Sequence, residues 1–140
     1  MDVYSLEILS FKVSSRPTLD IVTEPLHELL AMRPDVNYRC TIHSDQGWHY
    51  QNYKYVNFLK QHQMFQSMSR KGNCLDNALM ENFFGLLKQE MFYGQHFDNV
   101  HQLKVAIHRY INFYNNDRIK TKLKGLSPKR FRKQTFNLAY

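Results

Sequence analysis

Strand-like and helix-like repeats of apolar residues alternate along this chain of 140 residues. Apolar residues at every second position predict a strand over 9–13, and the segment YRCTIH indicates a short buried strand over 38–43. Apolar residues at helical spacing predict the longer elements. The predicted helices cover 19–30, 53–61, 76–91 and 98–115, with a third strand over 64–68 and a helical turn at Ser127-Pro128. This order indicates a mixed α/β fold.

Local breakers set the expected ends of these elements. Pro25 lies inside the first helical stripe and either kinks that helix or marks a new start after Thr23. Residues 44–47 and 69–73 have the composition of loops, and Asp98 is the expected N-cap of the last long helix.

The charge is distributed unevenly. Residues 1–37 carry six acids and three bases, whereas residues 38–140 carry sixteen bases and six acids. Eight bases and no acid follow from Arg118 to the end of the sequence. Such asymmetry indicates a polyanionic partner, above all a nucleic acid, although a solvated basic face on an unrelated enzyme is the alternative.

Composition excludes several other classes. No apolar run approaches the roughly 20 residues that span a bilayer, and residues 1–12 do not resemble a signal peptide. Two cysteines, Cys40 and Cys74, provide neither a disulfide framework nor a zinc site. We therefore expect a cytoplasmic protein without membrane contacts.

Two acids are the best candidates for chemistry. Asp45 follows the predicted strand 38–43, at the end where α/β sheets place ligand-binding groups. Glu81 heads a polar stripe with Asn77, Gly85 and Lys88 on the predicted helix 76–91, opposite an apolar stripe. An ordinary solvent-exposed helix face is the more common explanation of this second pattern.

Other candidates carry weaker signals. His43 lies two residues before Asp45 and is either a supporting group or a satisfied core histidine. Tyr50, Tyr53 and Tyr55 offer rings for base stacking, but aromatic residues at this density more often form a core. The sequence contains no phosphate-binding loop, nucleophile elbow or dinucleotide fingerprint.

Taken in order, several motifs resemble the catalytic core of bacterial insertion-sequence transposases, the group similar to retroviral integrases. They span almost the whole chain. The motifs are HSDQG at 43–47 with Tyr50, SMSRKGNC at 67–74, Asp76-Asn77-Ala78, ENFF at 81–84, LKQE at 87–90, YINFYN at 110–115, Arg118 and LKGLSP at 123–128.

This resemblance implies an RNase H-like fold and an Asp-Asp-Glu triad that binds two Mg²⁺ or Mn²⁺ ions. In this branch thirty-five residues separate the last two acids, as they separate Asp45 from Glu81. Asp45 then matches the second acid and Glu81 the third, both catalytic and both metal ligands. Hard divalent cations favour such carboxylates, and a pair of them suits displacement at a phosphodiester.

The resemblance also implies DNA as the substrate, self-association of the complete enzyme and a location at the nucleoid. We expect a partial integrase-like catalytic core over 1–116 and a basic tail over 117–140. Lys88 is expected to hold DNA near the cut, and the other expected DNA contacts are Asn77, Arg70, Lys71, Arg118, Lys120, Lys122 and Lys124.

One part of the family pattern has no match. The first aspartate belongs to a Trp-x-Thr-Asp-like segment some sixty residues before the second, and only 44 residues precede Asp45. We therefore expect the sheet to lack its first central strand, and the isolated chain to be inactive and poorly stable. A catalytically inactive DNA-binding remnant and an RNase H-type nuclease are the alternative functions.

Overall fold

The computed structural model describes residues 1–32, 39–70 and 77–138. These residues form two compact units. The sheet unit lies between Ser10 and Ala78, and the helical unit combines Met1–Leu9 with the chain from Leu79 onward. No helix in the described ranges is long and apolar enough to cross a membrane.

The described residues of the sheet unit form two parallel strands and three helices. The helices are α1 (Asp20–Met32), α2 (Trp48–Gln51) and α3 (Tyr53–Gln61), and the strands are β1 (Thr41–Ser44) and β2 (Phe65–Met68). Thr41 pairs with Phe65 at one end of the ladder and Ser44 with Met68 at the other. The buried core consists of Leu26, Tyr55, Leu59 and Met64. The helix-facing side of this small sheet is therefore covered, as a βαβ connection requires.

Two expectations for the first part of the sheet unit change. Helix α1 runs from Asp20 to Met32 with Pro25 inside it, so no new helix starts after Thr23. The expected strand over 9–13 is wrong, because the structure assigns no strand there. Alternation alone forms no ladder, since a strand also needs a neighbour for its backbone groups.

Within the described residues, the helical unit contains three α-helices, one wider π-helical turn and one tighter 3₁₀ turn. They are α4 (Ala78–Leu87), which continues as a π-helical turn over Lys88–Phe92, α5 (Val100–Asn116), a 3₁₀ turn over Thr121–Leu123, and α6 (Pro128–Leu138). Phe83 is buried in an aromatic cluster, with its ring centroid 5.0 Å from that of Tyr114 and 6.4 Å from that of Tyr110. Helix α5 is thus held against α4 by ring contacts.

The first nine residues pack into the helical unit. Ile8 donates its backbone N–H to Oδ1 of Asn115 at 2.9 Å, and Nδ2 of Asn115 donates to the carbonyl of Ile8 at 2.9 Å. Arg132 on α6 donates to the buried Glu7 at 3.2 Å. One side-chain amide therefore satisfies both backbone groups of Ile8, as a neighbouring strand would.

The ends of the helices differ in part from those expected. The N-cap of α5 is Asn99, whose side chain accepts the N–H of Gln102, and not Asp98. The expected turn at Ser127-Pro128 opens an eleven-residue helix, α6. Residues 117–138 lie in the same unit as α5.

Candidate active site

Asp45 follows directly after β1 and is exposed. Its Oδ1 accepts the backbone N–H of Gly47 at 2.8 Å, and its backbone carbonyl accepts the hydroxyl of the buried Ser44 at 2.9 Å. The carboxylate is thereby turned back over its own loop and held at one oxygen. Among the described residues, Oδ2 has no hydrogen-bond partner.

Gly47 allows this turn because it has no side chain. A Cβ at this position would lie 2.9 Å from Oδ1 of Asp45, closer than real Cβ contacts. The loop is also tied to β2, since Nε2 of Gln46 donates to the carbonyl of Ser69 at 3.1 Å. Sequence and geometry together thus fix the direction of the Asp45 carboxylate.

His43 joins the two strands just before Asp45. Its Nδ1 lies 2.9 Å from Oγ of Ser67, and its Nε2 lies 3.1 Å from Oγ of Ser69. A hydroxyl can donate or accept, so both ring nitrogens are satisfied in either neutral tautomer. The residue is exposed, so it is not a core histidine, and its position supports the carboxyl end of β1.

Glu81 lies in the first turn of α4 and is exposed. Phe83, on the other side of the helix, is buried in the aromatic cluster and anchors α4. Gly85 and Lys88 are exposed like Glu81, as the expected polar stripe requires. An acid in the first turn of a helix also interacts favourably with the helix dipole.

The two candidate acids belong to different units. Asp45 lies in the sheet unit, and Glu81 lies in the helical unit. Over the ranges that the structure describes, no three side chains of His, Cys, Asp or Glu are grouped so that they could hold a metal ion.

Glu90 and Arg118, the first base of the basic C-terminal stretch, form an ion pair that the sequence did not indicate. Nε of Arg118 lies 2.9 Å from Oε2 of Glu90, Nη2 lies 2.6 Å from Oε1, and Tyr110 donates its hydroxyl to Oε2 at 2.9 Å. Hydrogen bonds from Arg118, and then from Tyr110, hold the pKa of the Glu90 carboxyl below its usual value. Twenty-eight positions separate Glu90 from Arg118, too far for a local sequence pattern to reveal.

The other expected DNA contacts in the helical unit differ in exposure. Nζ of Lys120 lies 4.8 Å above the Tyr114 ring, and burial, with the nearby charge of Arg118, lowers the Lys120 pKa. Lys122 and Lys124 are exposed on a tight loop whose ends, Lys120 and Leu126, form a β-bridge. The loop presents their two charges to solvent.

The remaining expected contacts lie at or next to residues 71–76. Asn77 is half-buried just before α4, and Arg70 is exposed after β2. Lys71 lies outside the described residues.

The sequence did not predict the short helix α2, because four residues, Trp48–Gln51, are too few to show a helical repeat.

Sequence comparison relates the chain to integrase core domains and to transposases of insertion sequences. Two profiles described as integrase core domain match, one over residues 1–74 and the other over residues 81–136. A protein of Escherichia coli (strain K12), named as transposase InsK of insertion sequence element IS150, is 46% identical over 136 residues, covering 97% of this chain and 48% of its own length.

Two further relatives are also named as a transposase-like protein or a transposase. An uncharacterized transposase-like protein of Haemophilus influenzae is 43% identical over 136 residues, which cover 97% of this chain and 62% of that protein. Transposase InsF of insertion sequence IS3fB, from Escherichia coli (strain K12), is 34% identical over 140 residues, 99% of this chain and 48% of its own. The chain spans about half the length of the curated relatives it matches.

Proposed function

Because this chain belongs to the integrase core domain family, we propose that it acts in DNA transposition, by metal-dependent cleavage and strand transfer at phosphodiester bonds. The observation that carries the proposal is Asp45, an exposed carboxylate at the carboxyl end of β1 with one oxygen held by Gly47 and the other open. Relatives named as transposases match nearly all of the chain around it.

Family membership implies an RNase H-like fold, and the described residues have the mixed α/β character of that fold. We propose that the first central strand, with the first acid of the triad, corresponds to a part of the longer relatives that this chain does not cover. Asp45 and Glu81 are then the second and third acids.

The donors available suit magnesium or manganese. Mg²⁺ is commonly held by one or two carboxylates together with water and substrate phosphates. The open Oδ2 of Asp45 and the exposed carboxylate of Glu81 are donors of this type. When bound, two such cations would supply Lewis-acid stabilisation to an in-line displacement at phosphorus. The protein's own part is to hold Asp45 through Gly47 and to fix Glu81 on a helix anchored by Phe83.

The basic residues would hold the DNA. The exposed cations suited to contact phosphates directly are Lys88, Lys122 and Lys124. The affinity for DNA that such contacts supply falls steeply as the salt concentration rises. Arg118 and Lys120 already engage Glu90 and the Tyr114 ring, so we expect them to act mainly by shaping the basic surface. Asn77, Arg70 and Lys71 complete the proposed set.

Further parts of the proposal concern the complete enzyme. Recombination at two DNA ends requires both ends to be held together, which favours self-association. Binding to bacterial DNA would place the protein at the nucleoid, in the cytoplasm.

Fluorescence anisotropy of a labelled DNA duplex tests the proposed substrate with the purified chain. We expect saturable binding at 50 mM salt, weakening strongly by 200 mM. No binding at low salt would overturn the proposal. Tighter binding and selective cleavage of an RNA–DNA hybrid would instead favour an RNase H-type nuclease.

A DNA-binding protein without catalytic activity is the second candidate. The observation in its favour is the basic stretch from Arg118 onward, with eight bases and no acid, which suits DNA binding without any metal. DNA binding without Mn²⁺-dependent nicking of supercoiled plasmid by the purified chain would support this candidate. Nicking that Asp45→Asn and Glu81→Gln both abolish would exclude it.

A further inference from the structure

The one tryptophan of the sequence, Trp48, is conspicuously exposed. It opens helix α2, three positions after Asp45, and 57% of its surface is accessible. Its ring stacks on that of His49, with centroids 3.8 Å apart and planes at 25°. Stacking covers one face of the indole, and the accessible fraction shows that much of the rest is open to solvent.

The ring below Trp48 is fixed in place. Nε2 of His49 lies 3.1 Å from the carbonyl oxygen of Pro17 and, because a carbonyl only accepts, it carries the proton. The next residue, Tyr50, packs edge-on against the buried Tyr55, with ring centroids 5.4 Å apart. Helix α2 is therefore anchored from within while Trp48 faces outward. The indole has a rigid support and a defined orientation.

We propose that the outer face of Trp48 stacks on an unpaired nucleobase of the DNA close to the phosphate at Asp45. This inference rests on the proposed function, which supplies DNA as the ligand. Bases inside a closed duplex already stack on each other, so only an unpaired, frayed or extruded base can offer its face. An exposed aromatic ring suits the face of such a base, and the net charge of +7 suits the phosphates beside it.

The position of the ring limits which base it can reach. Three residues of extended chain span at most about 11 Å. Successive base pairs in a duplex rise by about 3.4 Å. With the reach of the two side chains added, the stacked base lies within a few nucleotides of the phosphate at Asp45. Trp48 would hold an opened DNA end in position without taking part in the chemistry.

The emission of Trp48 reports directly on this site, because the chain has no other tryptophan. The purified chain is titrated with a labelled single-stranded oligonucleotide, and separately with a labelled duplex whose two ends are closed by linkers that carry no nucleobases. Label anisotropy measures DNA binding, and tryptophan emission measures stacking. We expect both DNAs to raise the anisotropy, but only the single strand to quench Trp48.

Matched variants test the contribution to affinity. Trp48→Ala should weaken single-strand binding by about five- to hundredfold, as loss of base stacking does. Trp48→Phe should retain most of the affinity, and neither variant should change binding to the closed duplex. Tyr93→Ala removes a ring of similar exposure, 63%, from the helical unit and should have no effect.

Three outcomes would overturn the inference. Equal anisotropy with unchanged emission and no effect of Trp48→Ala would remove the stacking site and leave the proposed function standing. No anisotropy change with either DNA would remove both. A shift of emission with protein concentration in the absence of DNA would show that a second copy of the chain covers the ring.

Discussion

Arg118 holds both carboxylate oxygens of Glu90, with Nη2 2.6 Å from Oε1 and Nε 2.9 Å from Oε2. This two-point contact fixes the π-helical turn against the residues that follow α5. Bidentate arginine–carboxylate pairs are among the stronger polar contacts in proteins. The first base of the acid-free C-terminal stretch is thus engaged in structure before any DNA arrives.

The Glu90 pair makes stability depend on pH. Because Arg118 and Tyr110 lower the Glu90 pKa on folding, the contribution is present above the ordinary carboxyl pKa and is lost as pH falls through the lowered value. We expect Glu90→Gln to reduce the free energy of unfolding at pH 7 by about 1 kcal/mol. The difference from wild type should shrink toward pH 3. Urea unfolding at both pH values measures it, and an equal difference at both would contradict the assignment.

Asn115 should contribute far more to stability than a neighbouring asparagine. Asn115→Ala leaves the buried N–H and C=O of Ile8 without their partner, at a cost of about 2 to 4 kcal/mol. Asn112→Ala is the matched control, since Asn112 is exposed on the same helix and should cost within about 0.5 kcal/mol. Chemical denaturation measures both. Similar values would show that the Ile8 contact does not hold residues 1–9 in place.

Gly47→Ala should displace the Asp45 carboxylate without unfolding the protein. The new Cβ would meet Oδ1 at 2.9 Å, and the exposed side chain can rotate away at the loss of its bond to the Gly47 N–H. We expect the free energy of unfolding to change by less than about 1 kcal/mol. Binding of Mn²⁺, followed by paramagnetic broadening of amide signals near β1, should weaken toward the level of Asp45→Asn.

Two results would count against this account of the loop. Undiminished broadening in Asp45→Asn would show that Asp45 does not bind the cation. Full broadening in Gly47→Ala, with loss in Asp45→Asn, would show that Gly47 does not set the direction of the carboxylate.

Lys122 and Lys124 should contribute to DNA affinity through charge alone. Replacing either by Gln should reduce the slope of log K against log salt by about one, equally for unrelated duplexes. Lys60→Gln is the control, because Lys60 is equally exposed in the last turn of α3 and outside the proposed DNA contacts. Anisotropy at several salt concentrations measures the slopes. An equal reduction of the slope by all three variants would show that DNA affinity depends on net charge and not on the position of the lysine.

Helices with a clear apolar stripe were predictable from the sequence. Helix α3 begins at Tyr53 and ends at Gln61 as expected, and Tyr55 and Leu59 are buried. Helix α5 was expected to within two residues at its start and one at its end. The position of Asp45 after β1 also agrees with the strand predicted over 38–43.

Features that depend on distant partners were not predictable. The alternation over 9–13 predicts a strand, but the structure assigns no strand there. The backbone of the preceding residue, Ile8, bonds instead to the side chain of Asn115, more than a hundred positions away. Helix α6 was underestimated because its basic residues outnumber its apolar ones. The ion pair between Glu90 and Arg118 and the stacking of Trp48 on His49 were likewise not predictable from the sequence.

The central claim is that Asp45 and Glu81 are catalytic acids in DNA transposition. The most direct measurement is the transposition frequency in bacteria of the natural DNA segment that encodes this chain, cloned with its flanking DNA. We expect Asp45→Asn and Glu81→Gln each to lower the frequency by orders of magnitude, while Glu28→Gln, an exposed acid on α1, leaves it unchanged. A wild-type segment that never mobilises, or one whose frequency survives both acid substitutions, would contradict the claim.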